Sequence, residues 1–458
     1  MFAFSNTKDE RINNFILKII YPICCGIDVH KKFIVACIAS TNSVGVTTYQ
    51  SKRFSTFTNG LHELSKWLSK NSCIDVCMES TGKYWIPVFN ILEANNCNLT
   101  LAHPKYLKAI RDKKTDKKDA KWIADLFKHD LVSGSFIPPH AIRQLRDLMR
   151  YRFKLINMRS GEKKRLQNFL TVSNIQLASV VSDTFGKSSL AILDHLLENP
   201  SDTSFDIVPL VHKSMLAKVP DLQLAIDGTI VFEQAQKLSI ILGHYHAINT
   251  CIKNLENTIL ELVALYRTVL NIIMSTPGID EFSAITILSE IGSDMSVFLS
   301  NKHLCSWAGL TPASNESGGK KKSVRISKAG AYIKPTLVQC ANAVVMSNKH
   351  PEIKNRFLNI KKRRGHKRAT IAVSRMLLTA IYHMISNGQF YDSSHYSKLQ
   401  TIPKNRELSL KQALQLIKNH GYTISEPIPA CLIFLAEGQG FFVVHNFQPT
   451  PALLFFRL

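Results

Sequence analysis

Four acidic residues in this chain have the types and settings that could hold a hard divalent cation. Asp28 interrupts the apolar run CGIDVHKKFIVACIAS, Glu79 ends the run IDVCMES, and Asp116 and Asp119 stand three apart in KKTDKKDAKWIADL. An unpaired carboxylate in a buried strand costs several kcal/mol unless a partner or a metal compensates. Three-residue spacing on a helix places Asp116 and Asp119 on one face. Converging carboxylates need a cation to stay ionised together, and oxygen donors suit Mg²⁺ or Mn²⁺. Two such ions can polarise a scissile phosphate and stabilise both its attacking and leaving oxygens. Each acid also has a plainer reading. Asp28 could cap a turn and Glu79 could sit in one. Asp116 and Asp119 suit a helix N-terminus, or a solvated face paired with Lys113, Lys114, Lys117, Lys118 and Lys121.

Bringing these acids together falls to the elements that carry them. CGIDVHKKFIVACI reads as two strands joined by a tight turn at Val29 to Lys32, and VGVTTYQSKRFST supplies a third with period-two patterning. A helix follows at GLHELSKWLSK, then the strand IDVCMEST, a helix over GKYWIPVFNILEAN, the strand NLTLAHP, and a helix over KKTDKKDAKWIADLFKHD. Three antiparallel strands followed by strand–helix alternation is the pattern of an α/β ribonuclease H-like sheet. There the first and fourth strands are neighbours, which would set Asp28 beside Glu79, and the helix after the last strand could deliver Asp116 and Asp119.

From about residue 145 to 270 the pattern becomes helical. RDLMRYRFKLINMRSGEKKRLQNFL and AINTCIKNLENTILELVALYRTVLNII space apolar residues by three and four, which predicts long amphipathic helices in an antiparallel hairpin, a dimerising coiled coil or a plain helical linker. A third unit begins at STPGIDEFSAITILSEIG, where Pro277-Gly278 ends one helix and another starts near Glu281. Then come a helix through NKHLCSWAGL, a loop TPASNESGGKKKSVRISKAG, and helices at AYIKPTLVQCANAVVM and RATIAVSRMLLTAIYHMISNG. The end of the chain is aromatic-rich and nearly uncharged.

Composition narrows the partner. The 458 residues include 57 Lys and Arg against 34 Asp and Glu, a formal charge of +23, which points to a polyanion, with nucleic acid leading. KYLKAIRDKKTDKKDAK carries basic residues around its acids, and IKNRFLNIKKRRGHKR, with Lys361, Lys362, Arg363 and Arg364, carries no acid at all. Either run could be a solvated helix face; the second, lacking any acid, reads better as a nucleic-acid track. Ten cysteines show neither Cys-x-x-Cys pairs nor zinc spacing and read as reduced core residues of a cytoplasmic protein. NFILKIIYPICCGI is broken by Lys18 and Pro22, and no other run reaches about 18 uninterrupted apolar residues, so no membrane span is expected.

The ordered set GIDVHKK, MESTGKYWIPVFN, HPKYLKAIRDKKTDKKDAKWIADL, TPGI and SWAGLTPASNESGGKKKSVRISKAGAYIKP resembles the insertion-sequence transposases of the IS110 family, relatives of the Piv and MooV DNA invertases. The likeness runs from about Cys25 to about Tyr391. It implies a RuvC-like domain with an Asp-Glu-Asp-Asp tetrad at 20–135, a coiled-coil connector at 136–270, and a mostly α transposase domain with a nucleophilic serine at 271–392. A tail at 393–458 has no assigned role and beyond about Ser425 no counterpart, and the central stretch VSDTFGKSSLAILDHLLENPSDTSFDIVPL has none either. Carried over, the tetrad falls on Asp28, Glu79, Asp116 and Asp119, and the serine on Ser317. The residues themselves leave Ser314, Ser323 and Ser327 of the same loop open, and all four could simply bind the DNA backbone. Gly318 and Gly319 would let a phosphodiester approach, and Lys320, Lys321, Lys322, Arg325 and Lys328 would offset its charge.

The resemblance further implies a covalent phosphoserine intermediate, Mg²⁺ or Mn²⁺ at the tetrad, DNA element ends and target as substrates, a structured guide RNA, and a homodimer or homotetramer. Two rivals stand beside it: a metal-dependent junction nuclease in which Ser317 only contacts phosphate, and an inactive nucleic-acid-binding remnant.

Overall fold

A computed structural model describes residues 17–79, 82–104, 115–200, 202, 204–312, 315–318, 320–323, 325–394 and 415, with 315–317 and 320–323 as backbone. Contacts divide the chain into two compact units, Met1–Tyr391 and Asp392–Leu458. The second is described only at 392–394 and 415, so nearly all of the C-terminal tail lies outside the described residues.

The first unit opens on β1 (Ile23–Val29), β2 (Phe33–Thr41) and β3 (Thr47–Ser55), then α1 (Thr58–Lys70), β4 (Asp75–Glu79), α2 (Trp85–Ala94), β5 (Asn98–Ala102) and α3 (Asp116–Lys128). The sheet order is β3-β2-β1-β4-β5. The first three strands run antiparallel, and β4 and β5 run parallel to β1. This is the order expected of a ribonuclease H-like sheet. Alternation along the strands feeds two faces. Ile27, Ile34, Ala36, Val76 and Met78 pack with Leu64, Leu68 and Leu92 beneath α1 and α2. Cys24, Ala39, Cys77 and Ala102 pack with Ile123, Ala124 and Phe127 of α3. Each fully buried aliphatic side chain contributes about 1.5–3 kcal/mol to holding those layers together.

Two long helices follow, α4 (His140–Val172) and, after the short α5 (Leu177–Val180), α6 (Lys187–Glu198) and α7 (Val219–Ala225), α8 (Phe232–Val263). Arg152 meets Glu256 at 2.6 Å, Arg159 meets Asn249 at 3.1 Å and Glu162 meets His244 at 2.8 Å. Partner numbers fall as numbers on α4 rise, so the pair is antiparallel. Leu155, Ile248 and Ile252 are buried along the seam. The segments between the two helices fold back over the far end of the pair. Phe169, Leu170, Ile192, Leu196, Leu222 and Leu238 form a separate core there, which includes the central stretch that the sequence left unassigned.

A helical half closes the unit: α9 (Arg267–Met274), α10 (Glu281–Ile291), α11 (Asn301–Trp307), a hairpin of β6 (Asn315–Ser317) and β7 (Lys320–Ser323), α12 (Ile333–Met346), α13 (Pro351–Arg364) and α14 (His366–Asn387). Gly278, at φ +80, makes the break before α10, and the Asp280 carboxylate caps that helix by accepting from Ser283 N at 2.8 Å. Ile142, Leu145 and Met149 of α4 belong to this core, with Leu288, Leu337 and Leu377. By length and composition two stretches, 232–274 and 366–387, could cross a membrane. Val373, Leu377, Leu378 and Ile381 of the second are instead buried in this core.

Candidate metal centre and nucleic-acid interface

In the β1–β4 register Ile27 pairs with Met78. Asp28 and Glu79, one residue further along each strand, therefore sit side by side at the carboxyl ends of neighbouring parallel strands, where open sheets bind ligands. Parallel pairing also turns both toward the face that α3 covers. What lets α3 come so close is Gly26. A Cβ built there would lie 2.3 Å from both Ala120 O and Ala124 N, so only glycine admits the helix at this depth.

Thr115 caps α3, its hydroxyl accepting from Lys118 N, and Asp116 and Asp119 occupy the first turn. They gain from the helix dipole, as the plainer reading of the sequence anticipated. The same turn also faces the strand ends, since Asp28 is under the electrostatic influence of Glu79, Asp119 and Asp116 together. Asp28 is 7% exposed. Burial pushes its carboxyl above the ordinary range; nearby His30 pulls it back, while the three other acids push it further up. A carboxyl raised in this way is relieved either by a proton or by a bound cation.

His30 is the site residue that sequence reasoning passed over. Its Nε2 lies 3.0 Å from Asp28 Oδ2 and 3.5 Å from Asp116 Oδ1. One donor atom from each of Asp28, His30 and Asp116 falls within 4.8 Å of the others, a spacing that could hold a metal ion. In the sequence His30 belongs to the tight turn at Val29 to Lys32, where nothing marks it as a ligand.

Ser317 ends β6 and pairs with Lys320, the first residue of β7. The stretch expected to be a loop is thus a two-residue hairpin, and Gly318 at φ +57 supplies the backbone such a tight turn requires. Its base is tied by a bridge between Pro312 and Ile326 and by Lys334, whose ammonium donates to the carbonyls of Ser327 and Ala329 at 2.8 Å each. Lys320, Lys321 and Lys322 lie on β7; Arg325 and Lys328 are exposed beyond it. Lys117 and Lys118 are exposed beside Asp116, whereas Lys113 and Lys114 lie outside the described residues. Lys361, Lys362, Arg363 and Arg364 form the last turn of α13, all exposed. Cations there suit the helix C-terminus and present a continuous positive edge.

Comparison with known proteins bears on both halves. Residues 25–175 match the DEDD transposase model of IS110 type, and residues 270–358 match the model described as transposase of the IS116/IS110/IS902 family. The pilin gene-inverting protein of Moraxella lacunata is 24% identical over 381 residues, spanning 80% of this chain and 97% of that protein.

Proposed function

Since the chain belongs to the IS110 family of transposases, we propose that it is a cytoplasmic DNA recombinase that cuts and rejoins the ends of its own insertion sequence. The observation that carries this reading is the meeting of Asp28 with Glu79, Asp116 and Asp119 beneath α3, in a chain whose second family match contains Ser317. A match to a DNA-inverting protein along nearly its whole length supports recombination rather than simple degradation.

In this reading residues 20–135 form the carboxylate domain, 136–270 the coiled-coil connector and 271–392 the serine-bearing domain. Asp28, Glu79, Asp116 and Asp119 would hold Mg²⁺ or Mn²⁺; the acid-rich, partly buried donor set fits such an ion. When bound, the ion supplies Lewis-acid stabilisation of phosphodiester oxygens. Ser317 Oγ attacks phosphorus, giving up its proton and forming an O–P bond as the strand's own P–O bond breaks; the departing oxygen leaves protonated as a strand hydroxyl, and the phosphoserine conserves the linkage for rejoining. The basic residues of the hairpin, Lys320, Lys321 and Lys322 with Arg325 and Lys328, offset the negative charge that builds on the phosphoryl group. Lys117, Lys118 and the 361–364 run grip the backbone. A structured RNA from the element chooses the target by base pairing, and two or four copies act together so that several strands exchange at once.

The test is to trap reactions on DNA carrying the element ends. Wild-type protein yields a covalent protein–DNA adduct, Ser317→Ala yields none, and Asp28→Asn neither cuts nor joins. Cutting and rejoining by Ser317→Ala at the wild-type rate would refute the serine mechanism. Cutting by that variant without rejoining would leave the hydrolytic junction nuclease.

A further inference from the structure

We propose that His30 is itself a ligand of the cation, which turns an all-carboxylate centre into a mixed nitrogen and oxygen site favouring Mn²⁺ over Mg²⁺. This rests on the metal reading above and goes beyond the tetrad that the family likeness supplies.

Three observations carry it. The first is spacing. Two adjacent ligands, each about 2.1 Å from an octahedral ion, stand about 3.0 Å apart. His30 Nε2 lies 3.0 Å from Asp28 Oδ2 and 3.5 Å from Asp116 Oδ1, close to that separation. The second is orientation. Nε2 is buried and makes no hydrogen bond, although Asp28 is within reach. That nitrogen is therefore aimed at the carboxylates of Asp28 and Asp116 with its own hydrogen-bonding capacity unspent. The third is how the ring is held. His30 N donates to Phe33 O at 3.0 Å, and the ring packs on Phe33 at 4.6 Å between centroids, with the Arg53 guanidinium 3.7 Å over the same phenyl ring. That support holds the imidazole in place against the acids.

The consequence is selectivity. Mg²⁺ prefers oxygen donors, whereas an imidazole adds affinity for first-row transition ions. Phosphodiester chemistry at this centre is therefore tuned toward Mn²⁺.

Pulsed electron paramagnetic resonance on the full chain with Mn²⁺, without DNA, tests this. Wild-type protein is expected to show the imidazole nitrogen coupling of a directly bound histidine. His30→Ala, with folding checked by circular dichroism, is expected to keep bound Mn²⁺ but lose the coupling. Its Mn²⁺ affinity should fall on the order of tenfold or more, with a smaller fall for Mg²⁺ measured by competition. Asp28→Asn is expected to abolish Mn²⁺ binding. Asp28-dependent binding without the nitrogen coupling, or coupling that survives His30→Ala, overturns the proposal and leaves the carboxylate centre standing. Absence of any Asp28-dependent binding sinks both.

Discussion

Replacing Gly26 with alanine tests how the centre is assembled without touching any acid. The added methyl would start 2.3 Å from Ala120 O and Ala124 N, both backbone atoms of α3. Ordinary contact begins near 3.4 Å, so relief needs α3 to lift by about 1 Å. Neither side yields readily. Gly26 is in the interior of the sheet, paired on both flanks with Cys37 and Cys77. At its far end α3 is anchored by the buried Lys128, which donates to Asp125 and Thr47 at 3.2 Å each, and by the hydrogen bond from Tyr49 to Asp125. With that end fixed, the helix pivots, and its first turn, carrying Asp116 and Asp119, moves most. Overpacking of this kind costs about 1–3 kcal/mol, and a misplacement of about 1 Å in a catalytic group costs on the order of a hundredfold in rate. Gly26→Ala should therefore fold with a lowered denaturation midpoint. It should cut element-end DNA about a hundredfold more slowly, with weaker Mn²⁺ binding, while its DNA affinity is unchanged. Chemical denaturation, Mn²⁺ titration and a cleavage time course on one preparation suffice. A variant with wild-type metal affinity and wild-type cleavage would show that the depth of α3 does not set the centre.

Two other perturbations follow from the geometry. Glu290 is 5% exposed and is clasped by Arg150 through two 2.8 Å bonds, with Arg146 a further 3.9 Å away. Stranding a buried charge costs about 3–5 kcal/mol, and the remaining Arg146 together with Arg150's partial exposure lowers this, so Arg150→Ala should destabilise by about 2–3 kcal/mol in urea unfolding. Replacing Lys361, Lys362, Arg363 and Arg364 with glutamine should weaken binding to all DNA sequences alike. The slope of log affinity against log salt should drop by up to about 3–4, near 0.9 for each lost phosphate contact; an unchanged slope would mean that this turn of α13 does not touch DNA.

What the sequence disclosed about this chain followed from periodicity and order. The apolar runs of CGIDVHKKFIVACI, the period-two patterning of VGVTTYQSKRFST and the strand–helix alternation after it marked the strands, and their order made Asp28 and Glu79 expected neighbours. His30 and Gly26 were harder. His30 gains its meaning from Asp116, 86 residues later, and nothing local distinguishes it from the lysines that follow. Gly26 did carry a signal, since glycine inside a strand marks a close backbone approach, but the approaching partner was not legible. The hairpin at Ser317 was hidden because Asn, Glu, Ser and Lys are poor strand formers, and only the adjacent glycines hinted at a tight turn. The cap over the far end of the helix pair is built from short helices and 3₁₀ turns, whose lengths fall below what hydrophobic periodicity detects.

The placing of the two halves depends on the first turns of α4. Arg143 donates to Glu93 at 3.1 Å and to Asn90 at 2.8 Å, both on α2, the helix that follows Glu79. One turn later Arg146 donates to the carbonyls of Ser289 and Glu290 at the end of α10, at 2.9 and 2.7 Å, and Arg150 takes the Glu290 carboxylate. Spacings of three and four put these arginines along one stripe of a single helix, so the acid-bearing sheet and the helical core are keyed to the same rod. A flexible linker would leave each half to find the other on every encounter, with only a modest effective concentration. A rigid one spends that entropy during folding, before DNA arrives. In this chain, then, DNA and its basic contacts need supply grip and register, while α4 already sets the relation between the carboxylates and the core that carries the Ser317 hairpin.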